Sequence, residues 1–316
     1  MWGCRRQSQW LNSINTMNSV NIFYGSDGKL RSGWRFAIFV LAFLFFGLVF
    51  GTAAIAIMSA SGSIQPNNGT VLVVNGIVSL AVALIVGWLC GKYLEGLPFE
   101  AMGASFSKGW AFHLLAGLAG GTITFAFGAG IGALTGGLSF SANSAAAAGA
   151  IASTLLISFV IFGAAAAFEE ALFRGYILQT FIRSDLTLFG LVLTSTLFAS
   201  VHNANPSATA LSWINTFIAG VWFSVAYLKT RDLWLSTGLH LAWNWTQGSI
   251  FGVEVSGLTE IVKAPVMRES DAGPVWLTGG DYGIEGGIVT TIALILSTIA
   301  IYFLPIKGAD KSEDFS

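Results

Sequence analysis

Residues 151–174 read IASTLLISFVIFGAAAAFEEALFR, an apolar run that ends in two glutamates and an arginine. The eighteen residues from 151 to 168 carry no charge. A helix needs about 20 mostly apolar residues to cross the hydrocarbon core of a bilayer. The run therefore predicts a membrane-spanning helix, with Glu169, Glu170 and Arg174 at its end.

The rest of the chain has the same apolar character. Of its 316 residues, 54% are hydrophobic and 10% are charged, against about 25% charged residues in an average soluble domain. We predict an all-α fold, a polytopic bundle of transmembrane helices. The eight predicted spans are residues 36–58, 70–91, 111–135, 147–168, 187–203, 208–228, 233–251 and 287–305.

The basic residues set the expected orientation, because cytoplasmic loops of membrane proteins carry an excess of Lys and Arg. With the N-terminus inside, 13 of the 15 basic residues fall on the cytoplasmic side or at its edge. Only Lys263 and Arg268 fall on the other side. The chain is therefore predicted to lie in the cell membrane with both termini in the cytoplasm.

Three regions are expected along the chain. Residues 1–33 form a cytoplasmic N-terminal tail, 34–306 a transmembrane domain with its motif core at 160–250, and 307–316 a cytoplasmic C-terminal tail. The net charge of −1 and the lack of a basic patch exclude a nucleic-acid partner. Cys4 and Cys90 form neither a disulfide framework nor a metal-ligand spacing.

Glycines recur at helix-contact spacing in the third span. The pattern consists of Gly117 and Gly121, followed by Gly128, Gly132 and Gly136. Small residues at this interval let two helix backbones approach closely in a membrane. The third span is therefore predicted to pack tightly against a neighbour.

The two glutamates at the end of the fourth span have different expected partners, because consecutive helical residues point about 100° apart. Glu170 and Arg174 are four residues apart and share one helix face, where they can form an ion pair. Glu169 has no such local partner. A carboxylate in a poorly solvated place is a candidate general base, and we assign that role to Glu169.

Two of the three histidines add polar groups from other spans. His202 ends the fifth span in the stretch FASVH at 198–202. His240 and Asn244 lie four residues apart in the seventh span, so they can point at one spot. His113, at the start of the third span, is predicted to be interfacial.

This set of residues matches the needs of peptide hydrolysis, which are an activated water, an oxyanion stabiliser and a proton for the leaving amine. Glu169 and His202 could activate water, while His240 and Asn244 could stabilise the oxyanion. No cofactor is expected on this interpretation. The alternative is a zinc ion held by Glu169, His202 and His240, although the sequence lacks the His-Glu-x-x-His pattern of helix-borne zinc sites.

The three motifs, in this order, resemble the CAAX prenyl protease and bacteriocin-processing family of intramembrane endopeptidases, and the Asp27 to Arg35 stretch is similar to the lead-in of bacterial members. Three segments carry the resemblance: Glu169 to Arg174, Phe198 to His202, and His240 to Asn244. It implies a helical bundle with a water-accessible site inside the membrane. It also implies water activation by Glu169 and His202 and oxyanion stabilisation by His240 and Asn244, supported by Glu170, Arg174 and Phe198.

The expected partners are the lipid bilayer and a membrane-associated peptide or protein substrate. Two other functions stay open at this point. One is a non-catalytic protein that binds a peptide or bacteriocin in the same pocket and confers immunity. The other is a proton-coupled transporter in which the buried glutamate and histidines form a relay.

The predicted spans place two of the site residues at different depths. His240 lies near the cytoplasmic start of its span, whereas His202 lies about 24 Å from the start of its own at 1.5 Å per residue. We predict a short, tilted fifth span that follows a buried bend near Ser184 to Thr187, since non-helical backbone is tolerated inside a membrane protein where protein covers it.

Overall fold

The structure is a computed structural model that describes residues 22–25, 27–62, 69–258 and 261–308. The predictions for the first residues of the N-terminal tail, for Cys4 and for most of the C-terminal tail lie outside the described residues. The described chain is mostly helical, which confirms the predicted fold class.

Helices account for most of the described chain. The α-helices are α1 (Ser32–Ala60), α2 (Gly69–Cys90), α3 (Trp110–Leu134), α4 (Ala148–Glu170), α5 (Leu178–Ile182), α6 (Thr187–His202), α7 (Ala210–Thr230), α8 (Trp234–Trp245), α9 (Val275–Thr278) and α10 (Ile288–Phe303). The π-helical segments are Gly91–Glu95, Ala171–Ile177 and Thr246–Phe251, and the 3₁₀ turns are Phe99–Met102, Gly280–Tyr282 and Ile284–Gly286. Strands β1 (Leu138–Ala142) and β2 (Met267–Asp271) form one antiparallel pair.

Each of the eight predicted spans coincides with a helix. Five helical segments are long and apolar enough to cross a membrane: Ser32–Ala60, Val73–Glu95, Trp110–Leu134, Ala148–Ile182 and Ala210–Thr230. Helices α6 and α10 are apolar but shorter. The chain is therefore a multi-pass membrane protein, and eight crossings with both termini inside stay predictions.

The outer surface of α1 shows why such a chain needs a lipid solvent. Leu41, Phe45 and Leu48 are exposed on this helix, although each has a large apolar side chain. Contiguous apolar surface of this kind is unfavourable in water and suits contact with lipid or another apolar partner. Charged side chains such as Glu95, Glu170 and Arg174 are buried instead.

The fourth predicted span is longer than expected. Helix α4 does not end near residue 168 but continues through the π segment Ala171–Ile177 into α5. The helix can continue past the two glutamates because Glu170 and Arg174 neutralise each other within it. The glutamates therefore lie inside a long helical rod rather than at its end.

The first two glycines of the α3 pattern, Gly117 and Gly121, have the predicted effect, and their partner is α8. A methyl group added at Gly117 would lie 2.4 Å from the Leu235 carbonyl oxygen, and one added at Gly121 would lie 2.4 Å from that of Leu239. Gly238 of α8 faces Gly117 in the same close approach. Gly136 has a different role: its φ of +75° is the left-handed conformation that commonly follows a helix end.

The buried bend lies elsewhere than predicted. Asp185 and Leu186, between α5 and α6, are exposed. The buried turn instead joins α7 to α8, where Thr230, Asp232 and Leu233 are buried. Helix α8 thus begins under the cover of neighbouring segments, and His240 of α8 and His202 at the end of α6 lie close to the same glutamate, Glu169.

His113 of α3 contacts this buried turn, and its interfacial position in the membrane stays a prediction. Its side chain is 3% exposed. Its Nδ1 lies 2.5 Å from the Asp232 carboxylate and its Nε2 lies 2.9 Å from the Lys307 carbonyl oxygen. Asp232 also accepts the backbone N–H of Trp234 at 3.1 Å and so caps the start of α8. These polar partners allow the histidine to be buried, although they are remote from it in sequence.

Candidate active site

The site lies where α4, α6, α7 and α8 meet, next to a π-helical segment that follows α4. The π segment Ala171–Ile177 follows directly on Glu170. Such wide turns inside helices occur often at functional sites. Here the wide turn comes immediately after the two glutamates of the first motif.

Glu170 and Arg174 form the predicted ion pair, with 2.9 Å between Glu170 Oε1 and Arg174 Nη1. Both side chains are completely buried. Arg174 Nη2 also donates to the Gly220 carbonyl oxygen of α7 at 2.8 Å. The guanidinium therefore ties α4 to α7, and breaking the pair would leave a buried charge uncompensated.

Arg174 also holds the aromatic residues behind the histidines. Its guanidinium carbon lies 5.1 Å from the ring centroid of Phe198 and 5.2 Å from that of Phe223. These distances are within the range of cation–π attraction. Phe198 in turn packs against His202, with 4.6 Å between the ring centroids. The supporting residues thus form one connected layer under the site.

His240 is fixed on two sides. Its Nδ1 lies 3.2 Å from Glu170 Oε1, and its ring stacks on Phe223 with 4.6 Å between centroids. Since a carboxylate oxygen accepts hydrogen bonds, Nδ1 carries the proton in this contact. Nε2 then points toward Glu169 and can donate a hydrogen bond there only when the ring is an imidazolium.

His202 can use its free nitrogen, Nε2, in the neutral state of the ring. Its Nδ1 lies 2.7 Å from the Phe198 carbonyl oxygen, so Nδ1 is the donor of that bond. In the neutral ring, Nε2 is then an acceptor. The backbone at the end of α6 therefore selects the tautomer that can accept a hydrogen bond from water.

Glu169 lies between the two free histidine nitrogens. Its Oε2 is 3.9 Å from His202 Nε2 and 3.7 Å from His240 Nε2. These separations exceed a direct hydrogen bond but are short enough for a shared water. Within the described part of the chain, Glu169 Oε2 is buried without a hydrogen-bond partner, although the side chain as a whole is 22% exposed.

A cavity with room for about 40 Å³ of water-sized molecules lies beside the two histidines. His202, His240 and Asn244 line one part of it. Asn244 is half-buried, and none of the described residues bonds to its side-chain amide. The amide is therefore free to bind a group that enters the cavity.

The cavity includes residues that the sequence interpretation missed. Trp243, Phe223 and Asn215 line it, as do Ser256 and Glu285. Trp243 could have been found because it lies beside Asn244 and one helical turn after His240. The others come from a different helix or from loops, and no motif or spacing points to them.

The zinc alternative finds no preformed ligand set. Among the described residues, no group of three or more His, Cys, Asp or Glu side chains is arranged to hold a metal ion. One of the acidic groups, Glu170, is engaged by Arg174 and His240. Metal dependence is therefore a question for the chelation experiment described below.

The fold and the site together define a multi-pass helical membrane protein with a cluster of carboxylate and imidazole groups among its helices. Residues 151–246 match the family model described as Type II CAAX prenyl endopeptidase Rce1-like. The match is consistent with a membrane protease of the CAAX protease and bacteriocin-processing family and confirms the resemblance seen in the motifs. The comparison with curated proteins finds no match.

The matched region contains Glu169, His202, His240 and Asn244. It therefore contains all three motifs and the helices that bring them together, from α4 through α8 and into the following π segment. The match supports an intramembrane endopeptidase of the CAAX type in general. The roles of individual residues are proposals.

Proposed function

We propose that this protein is an intramembrane endopeptidase that hydrolyses a peptide bond in a membrane-associated peptide or protein. The observation that carries the proposal is the position of Glu169 Oε2, which lies 3.7–3.9 Å from the free nitrogens of two histidines and has no hydrogen-bond partner in the described part of the chain. This is the arrangement that a general base and its water require.

In the proposed reaction, a water binds between Glu169 Oε2 and His202 Nε2. Glu169 takes one proton, and the resulting hydroxide attacks the carbonyl carbon of the scissile bond. His202 accepts the hydrogen bond from the water's remaining proton, which its tautomer allows. The carbon–nitrogen bond then breaks, and Glu169 gives its proton to the departing amine, so that one water is consumed for each bond cleaved.

The negative charge that develops on the carbonyl oxygen would be stabilised by Asn244 and His240. The Asn244 amide donates from the cavity wall, and His240 donates from Nε2 as an imidazolium. Glu170 accepts from the other nitrogen of that ring. Because Arg174 already neutralises Glu170, the added imidazolium charge is matched by the oxyanion when it forms.

No metal or other cofactor takes part in this proposal. We further propose that the protein lies in the cell membrane with both termini in the cytoplasm, because the basic residues are concentrated on that side. The substrate class is a membrane-associated peptide or protein.

The decisive experiment measures hydrolysis of a quenched-fluorescent library of membrane peptides by the detergent-purified protein. We expect Glu169→Gln and His202→Ala to reduce cleavage by about 10²–10⁴-fold, the usual contribution of acid–base catalysis. Asn244→Ala should cost about 10²–10³-fold, the usual effect of removing one oxyanion donor. Asp281→Asn is the control, because it removes an exposed carboxylate outside the cavity.

A strong chelator is included in a parallel series. Cleavage that survives chelation and disappears in Glu169→Gln supports the glutamate mechanism. Loss of cleavage on chelation would instead indicate that Glu169, His202 and His240 bind zinc. Peptide binding without turnover in any condition would favour the non-catalytic alternative, and proton-coupled flux in proteoliposomes would favour a transporter.

A further inference from the structure

The cavity has a second polar region, which the hydrolytic mechanism does not use. Glu285, from the loop before α10, lines the same cavity as His202, His240 and Asn244. Among the described residues that line this cavity, it is the only carboxylate, and none is Lys or Arg. A formal negative charge therefore faces the space in which the substrate would lie.

Neutral groups orient this carboxylate. Oε1 accepts from Trp243 Nε1 at 3.1 Å, and Oε2 accepts from the backbone N–H and the hydroxyl of Ser256 at 2.6 and 2.8 Å. Within the described chain, no Lys, Arg or His forms an ion pair with it. A carboxylate has about four acceptor positions, so these three donors leave room for one more.

The backbone of Glu285 is also fixed. Asn215 of α7 donates to the carbonyl oxygens of Glu285 and Gly287, both at 2.8 Å. The Asn215 side-chain oxygen accepts from Thr291 at 2.5 Å. The loop is therefore tied to α7 and α10, and the carboxylate is held in a defined place on the cavity wall.

Helix α7 gives the distance between the two polar regions. Asn215 donates to the backbone carbonyl oxygen of Glu285, so this distance refers to the Glu285 backbone, and Phe223, which stacks on His240, lies eight residues further along the same helix. Eight helical residues span about 12 Å. An extended peptide covers that distance with three or four residues at about 3.3 Å each. Between the two regions, the wall contains the apolar residues Ala219 and Trp222.

We propose that Glu285 is a specificity-determining residue that binds a lysine or arginine side chain of the peptide substrate. The basic side chain would lie within three or four residues of the scissile bond, at about 3.3 Å per residue, with apolar groups in between. This inference rests on the proposed function, because it takes the bound peptide to be a substrate. Recognition of a basic side chain can nevertheless be measured without any cleavage.

The test uses binding to the full-length Glu169→Gln protein in detergent. The probes are fluorescein-labelled apolar peptides with acetylated N-termini, which carry a single Lys or a single Gln at successive positions. Acetylation ensures that the side chain is the source of positive charge. At one position we expect Lys to bind about tenfold or more tightly than Gln, as a hydrogen bond to a charged group gives.

Adding Glu285→Gln should reduce this preference to near unity while leaving the affinity for the Gln peptide unchanged. Glu285→Asp should keep the preference, and Asp281→Asn, four residues earlier in the loop and exposed, should not alter it. The proposal is overturned if no position prefers Lys, or if the preference survives Glu285→Gln. Because hydrolysis is not measured, a failed peptidase assay and a failed preference are separate results.

Discussion

The close approach of α3 and α8 makes a specific prediction about a residue that lies outside the site. In Gly117→Ala, the new methyl group would lie 2.4 Å from the Leu235 carbonyl oxygen and 2.9 Å from the Gly238 Cα. The atoms it meets belong to the backbone, so no side chain can rotate away. To reach an ordinary contact of 3.4 Å, the helices must separate by about 1 Å.

This separation should have two measurable effects. Overpacking of this kind costs about 1–3 kcal/mol of stability. It also moves the helix that carries His240, and a displacement of about 1 Å can reduce the rate of an enzyme by about 10²-fold. Thermal unfolding in detergent measures the first effect, and cleavage of the peptide library measures the second.

The matched control is Gly130→Ala in the same helix. No atom lies within 4 Å of the methyl group that it adds. This variant shows the gain in helix propensity alone, about 1 kcal/mol. If Gly117→Ala unfolds at the same temperature as Gly130→Ala, the helices do not approach as described and the reasoning fails.

Three further predictions concern stability, again measured as thermal unfolding. Glu170→Ala leaves a buried arginine without its partner and should cost about 3–5 kcal/mol, whereas Glu169→Ala should cost little, and equal losses would contradict the ion pair. Asp232→Asn removes the negative charge opposite His113 and should cost about 1.5–3 kcal/mol, so an unchanged melting temperature would count against that contact. Burial, followed by neighbouring carboxylates, raises the pKa of Glu269 from 4.5 to about 7. Its contribution to stability is therefore fully present below pH 4.5 and is lost as the pH rises through about 7. The melting temperature of the wild type should fall more between about pH 5 and pH 8 than that of Glu269→Gln, and parallel curves for the two proteins would refute this.

The helices of this protein could be predicted because their signal is local. Each apolar run reports directly on whether a segment can lie in lipid, and the predicted fifth span, 187–203, differs by one residue from the observed α6, Thr187–His202. The ion pair of Glu170 with Arg174 could be predicted for the same reason, since four residues fix a helix face. Glu169 and the two histidines converge as their order in the motifs suggested.

The contacts that the sequence did not predict join segments that are remote from one another. His113 and Asp232 are 119 residues apart, and the strand register pairs Phe140 with Glu269. Neither contact follows from periodicity, because each joins two segments that are far apart in the sequence. Glu285 was not predicted for the same reason.

The buried bend shows how a correct constraint can be assigned to the wrong segment. For His202 and His240 to meet at one depth, one of their two helices must start below the membrane surface. The predicted bend lies before α6, where polar residues occur near Asp185. The bend before α8 can be buried because Asp232 finds His113 and the start of α8 as partners. The sequence shows the polar residue but not whether it is satisfied.

The π segment Ala171–Ile177 also separates two sets of contacts along one continuous helical segment. A π turn closes with one residue more than an α turn, so the residues after it are out of phase with those before it. The part before the turn presents Glu169 to the histidines. The part after it presents Phe181 to Phe36 of α1, with 6.0 Å between ring centroids. Removing one residue from the turn would rotate one part against the other by about 100°. A variant with that single deletion could align one set of contacts or the other, but not both.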